Sequence, residues 1–218
     1  MGRHYNRPLR RGAPKRQPRK RLLVLCEGKV TEPKYLNAFR HEHRSQLVEV
    51  EVMPECGDPK TLVEQAVERK KYAEREARRY SDPYRKYDEV WCVFDVDEHL
   101  KLAEAKQQAR DNGLNLAISS PCFELWILLH FQDQQAHIER DVLRVEVRKH
   151  LPGYEKVVPY DKVQPHYEEA VLRANALTKW QIEQGRPKEE ENPSTGVHKL
   201  TKRIAELGRD RFLNQKQG

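Results

Sequence analysis

The chain has 218 residues, of which 37% are hydrophobic and 34% charged, and its formal net charge is +7. Its mean hydropathy is −0.95, which excludes one continuous oily core, and its length allows one domain comfortably or two small ones. The charge excess is local: residues 1–21 hold nine Lys or Arg and no Asp or Glu, and the remainder is slightly acidic. Any argument for a polyanionic partner must therefore be local too.

Residues 1–20 are rich in Arg, Pro and Gly and read as a flexible basic arm. The null for that arm is a solubilising tail. Leu22 to Cys26 is a short apolar run, the pattern of a strand buried on both faces. Gly28 breaks it and leaves room for a backbone or a phosphate to approach. Thr31 is placed to cap a helix that carries Tyr35, Leu36 and Phe39 on one side. Val48, Val50 and Val52 alternate with Glu49 and Glu51, the pattern of a half-exposed strand at a sheet edge. A long helix is expected from Pro59 to Arg79. Its Arg69, Lys70, Lys71, Arg75, Arg78 and Arg79 are interleaved with Glu68, Glu74 and Glu76, a mixed run that suits a solvated face.

Tyr87 to Phe94 is the next buried strand. A helix from Glu98 to Asn112 is stopped by Asn112-Gly113, and Leu114 to Ile118 forms a further strand. SSPCFELWILLHF opens another helix, with Ser119 or Ser120 as its cap. Helices follow over Ile138–Lys149, Pro165–Gln184 and Thr195–Leu207, with the polar loop GRPKEEENP between the last two. The order predicts an α/β fold: a mainly parallel sheet flanked by helices, with a helical C-terminal extension. The expected boundaries are an arm over 1–20, an α/β core over 21–131 and an extension over 132–218 packed on that core.

Cysteines stand at positions 26, 56, 92 and 122, with no CxxC pair and no zinc spacing. Cys26 and Cys92 fall in apolar runs and read as small buried hydrophobes. No segment reads as a secretory leader or a membrane span, so a reducing cytoplasmic location is expected.

The run VWCVFDVDEH ends in two aspartates, Asp95 and Asp97, and the run LLVLC ends in Glu27. In parallel α/β folds, sites form beyond the C-terminal strand ends. If the two strands are neighbours, three carboxylates converge. Glu27 and Asp97 each have a plain alternative as caps of the next helix. Asp95 ends a run that should be buried, and like charges brought together need a proton or a cation. Mg²⁺ favours such oxygen ligands. Lys29 is near enough in sequence to meet a phosphate, or is a solvated turn lysine. Glu124 sits in an otherwise apolar segment, at the rim of the cluster or at a helix N-terminus that suits its charge. His130 is a rim residue or a packed core histidine. His99 is a metal or phosphate contact or an exposed helix residue. Thr195, His198 and Lys199 lie where helix N–H groups could hold phosphate, although capping alone accounts for Thr195. No Walker motif, DNA-reading finger or leucine zipper occurs.

EGKVTEPKYL (27–36) followed by DVDEH (95–99) resembles the two hallmark motifs of the Toprim fold of topoisomerases, bacterial primases and nucleases of the overcoming-lysogenization-defect type. With SSPCFELWILLHF (119–131) and NPSTGVHKL (192–200), the chain more closely resembles the RloB family of predicted phage-defence proteins, also called AbiLii-like. The resemblance spans about Leu22 to Ala205. It implies that Glu27 is a general acid or base, that Asp95 and Asp97, with Glu27 beside them, hold Mg²⁺ or Mn²⁺, and that a further acid completes the site. Glu124 is favoured for that place over Glu32 and Glu98. It implies a metal-dependent nuclease acting on RNA, including tRNA, or on DNA, with an AAA-type ATPase or another defence subunit as partner. No tyrosine among Tyr35, Tyr72, Tyr80, Tyr84 and Tyr87 ranks as a nucleophile, so hydrolysis is expected over topoisomerisation. Two other readings stand beside it: a non-catalytic nucleic-acid or nucleotide-binding regulatory module of a defence complex, and a metal-dependent enzyme acting on a nucleotide or other small phosphorylated molecule.

Overall fold

The structure is a computed structural model, and it describes residues 20–45, 48–52, 58–96, 101–185 and 192–215. The expectations for Asp97, Glu98, His99 and Cys56, and for nearly all of the basic arm, fall outside the described residues.

Strand β1 is Leu22–Cys26 and helix α1 is Thr31–Glu42; β2 is Val48–Val52 and α2 is Pro59–Arg79; β3 is Glu89–Asp95 and α3 is Leu102–Asp111. They are followed by β4 (Asn115–Ser120), α4 (Glu124–Leu128), α5 (Arg140–His150), α6 (Tyr160–Val163) and α7 (Tyr167–Glu183). The chain ends in β5 (Ser194–Thr195) and α8 (Val197–Gln215). The sheet order is β2-β1-β3-β4-β5, with β1 parallel to β2 and β3, β3 parallel to β4, and β5 antiparallel to β4. The fold is thus α/β with a mainly parallel sheet and a helical C-terminal extension, as the element pattern predicts. The alternating run 48–52 does lie at the sheet edge, where one face needs no helix.

Alternation along the buried strands sends neighbours to opposite faces. Leu22, Val24 and Cys26 join Trp91, Val93 and Ala117 under α1, α4, α7 and α8. Leu23 and Leu25 join Val90, Cys92 and Phe94 against Leu62, Ala66 and Ala105 of α2 and α3. Cys26 and Cys92 are buried, in keeping with their reading as small hydrophobes, and Cys122 is buried as well.

Three local expectations are corrected. Thr31 is the first residue of α1, not its cap; its hydroxyl donates to the Lys156 carbonyl at 2.9 Å, tying α1 to the segment after α5. Ser119 does not cap a helix. It is the next-to-last residue of β4, and its hydroxyl shares a 3.0 Å hydrogen bond with Thr195 across the antiparallel pair. The apolar run after it makes a short α4 that begins only at Glu124.

Helix α8 returns to α1. Ser45 donates to the Ile204 carbonyl at 2.6 Å, and a Cβ on Gly208 would stand 2.0 Å from the His43 carbonyl oxygen. Only glycine lets the two backbones come this close.

Candidate functional site

Register brings the first two carboxylates together. Cys26 pairs with Val93 across parallel strands, and the Glu27 amide donates to the Val93 carbonyl at 3.0 Å. Glu27 and Asp95 therefore leave adjacent strands at their C-terminal ends. Asp95 in turn lies opposite Ser119, whose carbonyl accepts from the Val96 amide at 2.7 Å. Glu124 reaches the same place from the first turn of α4. Glu27, Lys29, Asp95 and Glu124 all line one cavity of about 940 Å³.

A carboxylate that sequence reasoning ranked lower joins them. Glu32 of α1 lines the same cavity and is buried. Its carboxylate folds back over the turn after β1, so that a Cβ on Gly28 would lie 2.0 Å from Glu32 Oε2. The room that Gly28 provides is thus taken by the chain's own acid and not left for a phosphate. Burial pushes the Glu32 carboxyl above the ordinary carboxylate range, and Glu124 adds to this. Its own backbone amide, Arg140 and Lys156 pull the other way.

The raised value fixes the sign of a pH effect. The folded state holds the Glu32 proton to higher pH than the unfolded chain does, so this group's contribution is fullest below the ordinary Glu pKa and is lost as pH rises through the folded value. Glu32→Gln is therefore expected to raise the denaturant midpoint at pH 7.5 and to leave it near wild type at pH 4. A variant less stable than wild type at pH 7.5 would show that the ionised carboxylate holds the turn together.

The opposite wall is cationic, and sequence reasoning missed it. Helix α5 presents Arg140, Arg144 and Arg148 at i, i+4 and i+8, one stripe of a helix whose buried side is Leu143 and Val147. Arg140 Nη2 lies 3.7 Å from Asp95 Oδ2 and donates to the Pro121 carbonyl at 3.1 Å. Arg144 Nε lies 3.6 Å from Glu124 Oε1. Arg148 donates to the Tyr154 carbonyl at 3.0 Å, and the Tyr154 hydroxyl donates to Glu124 Oε1 at 3.3 Å. Arg148 thus positions a residue that touches the acid. Burial, with Glu124 next, pushes the Tyr154 hydroxyl pKa up. Arg144, Arg148 and Lys156 line the cavity facing the strand-end carboxylates, with Lys29 and Glu155 as exceptions to this division. The four-residue arginine spacing was visible in RDVLRVEVRKH; what was not visible was which way the stripe faces.

The remaining predicted contacts lie elsewhere. His130 sits in the aromatic core, 1% exposed. Its Nδ1 donates to the Trp126 carbonyl at 2.9 Å, which leaves Nε2 to accept from the Tyr35 hydroxyl at 3.4 Å. Burial lowers its pKa to about 4, so it is neutral at pH 7. His198 is also buried and lines neither this cavity nor the one that holds Thr195 and Lys199. Thr195 Oγ1 accepts from the Val197 amide at 3.3 Å, so that α8 N–H is taken by the chain itself. Thr195 and Lys199 belong to a second cavity that shares no lining residue with the first.

A model of the RloB-like protein family matches residues 22–204. The chain belongs to the RloB-like family. That family is part of the Toprim superfamily, and the match spans every carboxylate of the cavity together with α5. No curated protein matches the RloB-like chain. Among solved structures, a sigma-54 interaction domain protein from Enterococcus faecalis is similar at 11% identity over 75% of this chain and 96% of its own. The TM-score of that pair is 0.30, a likeness that carries no argument.

The family implies a divalent metal. Among the described residues, no group of three or more His, Cys, Asp or Glu side chains is placed to hold an ion. Asp95 and Glu124 instead each have a guanidinium group within 4 Å. Among the described residues no helix is long and apolar enough to cross a membrane.

Proposed function

We propose that this RloB-like protein is a nucleic-acid- or nucleotide-binding module of a phage-defence system, and that the cavity at the ends of β1 and β3 receives the phosphate groups. The observation that carries this reading is the stripe of Arg140, Arg144 and Arg148 set against Asp95 and Glu124. Guanidinium groups bind phosphate bidentately and in charge-assisted fashion. Held against carboxylates, they are oriented before a ligand arrives, and a phosphate can take over their hydrogen bonds. Lys156 belongs to the cationic wall, and Lys29 adds a further positive charge on the carboxylate side of the cavity. A regulatory role fits a partner of the AAA-ATPase type that the family resemblance implies.

A second reading is metal-dependent phosphodiester hydrolysis with Mg²⁺ or Mn²⁺. It is favoured by one observation: Glu27 and Asp95 end neighbouring parallel strands and share a cavity with Glu124. In that reading Glu27 serves acid–base chemistry, and Asp95 with Asp97 holds the ion.

The two readings separate in one experiment. Wild type and Asp95→Ala are incubated with tRNA, single-stranded RNA and single- and double-stranded DNA, with Mg²⁺, Mn²⁺ or EDTA, and binding and product are measured together. The binding module predicts retained complex in EDTA and no product in any metal. Products from wild type alone, lost in EDTA, would replace it with the hydrolase. Neither complex nor product with any substrate would overturn both.

A further inference from the structure

We propose that the second cavity, on the β4 side of the β3 end, binds a nucleoside monophosphate independently of the carboxylate cavity. Its volume is about 480 Å³, and it lies between β4, α3, α7 and the start of α8. Small-molecule sites commonly run to about 300–1,000 Å³, so one nucleotide fits and a duplex does not.

The cavity has a charge character of its own. Lys106 and Arg110, one helical turn apart on α3, share its wall with Lys199 of α8. Among the described residues no carboxylate lines it, and none pairs with these three cations. In the first cavity Arg144 lies beside Glu124; here Arg110 donates to Gln107 Oε1 at 2.6 Å, a neutral partner, and the cationic charge is left to meet an anion.

The second observation is Gln181. It lines the cavity and is 2% exposed. Its Nε2 donates to the Pro193 carbonyl at 2.8 Å, which fixes which end of the amide is which. Its Oε1 has no hydrogen-bond partner among the described residues. A buried acceptor left without a donor is unfavourable, and this one calls for an N–H or O–H. An inorganic anion would satisfy the cations and leave Gln181 as it is. A ligand carrying both a phosphate and a hydroxyl or amine satisfies both. The cavity is also lined by the apolar Ala109, Leu116 and Ile118, a surface suited to one flat face of a base. Phosphate, donor and apolar face together describe a nucleotide.

Calorimetric titration of the full chain with AMP and CMP, and separately with inorganic phosphate and adenosine, tests this. Saturable AMP or CMP binding is expected, with phosphate and adenosine each at least about tenfold weaker, since each supplies only part of the contacts. Lys106→Glu with Arg110→Glu, on exposed and half-exposed positions of α3, should weaken nucleotide binding about tenfold or more while circular dichroism stays unchanged. Gln181→Leu should leave phosphate binding in place and narrow the preference for nucleotide over phosphate. Arg144→Glu with Lys156→Glu should weaken only binding at the carboxylate cavity and leave in place the component of the titration that the Lys106/Arg110 variant loses. Absence of saturable binding by wild type would overturn the proposal. So would phosphate binding as tightly as AMP, or loss of AMP binding in the Arg144/Lys156 variant and not in the Lys106/Arg110 variant.

Discussion

Arg144→Glu combined with Lys156→Glu is expected to weaken binding of a phosphate ligand at the carboxylate cavity by about a hundredfold or more. Each position contributes a charge-assisted contact of roughly 1.5–3 kcal/mol, and reversal adds repulsion to the loss. Arg144 now lies beside Glu124, and Lys156 is an exposed side chain whose backbone carbonyl, not its ammonium, receives Thr31. The fold should therefore survive the pair. Fluorescence anisotropy with a labelled oligonucleotide, followed against salt, is the readout. The variant's log–log salt slope should be shallower than wild type, because fewer phosphates are neutralised. Equal affinity and equal slope would mean that the α5 stripe serves only to hold the acids.

Acid is expected to destabilise the fold between about pH 6.5 and pH 4 through two buried histidines. His130 and His198 are each lowered to about 4, chiefly by burial. An ordinary histidine titrates near about 6.5, so over that window the unfolded chain binds protons that the folded chain refuses. Their stabilising contribution is therefore whole above about pH 6.5 and falls as the pH falls, by at most about 1.4 kcal/mol per pH unit for each group. Across the window this comes to several kcal/mol, a large share of an ordinary domain's stability. Glu32 works in the opposite sense, one group against two. Urea midpoints measured from pH 7.5 to 4.5 should drop steeply for wild type and about half as steeply for His198→Leu. That substitution also removes two buried ring nitrogens for which no well-formed hydrogen bond is found among the described residues. An unchanged slope would remove His198 from the account.

What the sequence made legible follows from periodicity and strand ends. LLVLC (22–26) and VWCVF (90–94) are apolar on every residue because helices cover both faces, and only a central parallel strand has that environment. The acids that end them inherit their placement from the sheet, which is why Glu27 and Asp95 could be paired before any coordinates. Glu124 was found because a charge inside an apolar run needs a reason. The misses have an equally physical origin. Helix periodicity gives a stripe but not its direction, so nothing in the sequence sets Arg140, Arg144 and Arg148 against the acids. Residue type alone does not place His130 or His198: His130 follows the short buried helix α4, His198 stands in the first turn of α8, and both are buried. Thr195 was placed near a helix start, but its hydroxyl is engaged by Ser119 and Val197. That arrangement depends on a two-residue antiparallel strand too short to leave a pattern.

The approach of α8 to α1 has a consequence for synthesis. Ser45 and His43 meet Ile204 and Gly208, and β5 covers the outer edge of β4, so early and late segments of the chain complete one another. While the ribosome is still making residues 194–208, β4 presents an unpaired edge and one side of α1 faces water. Contacts this distant in sequence form late and slow folding. A message truncated before Ser194 would thus release a chain without β5 and α8, its β4 edge and one side of α1 open, a substrate for proteases.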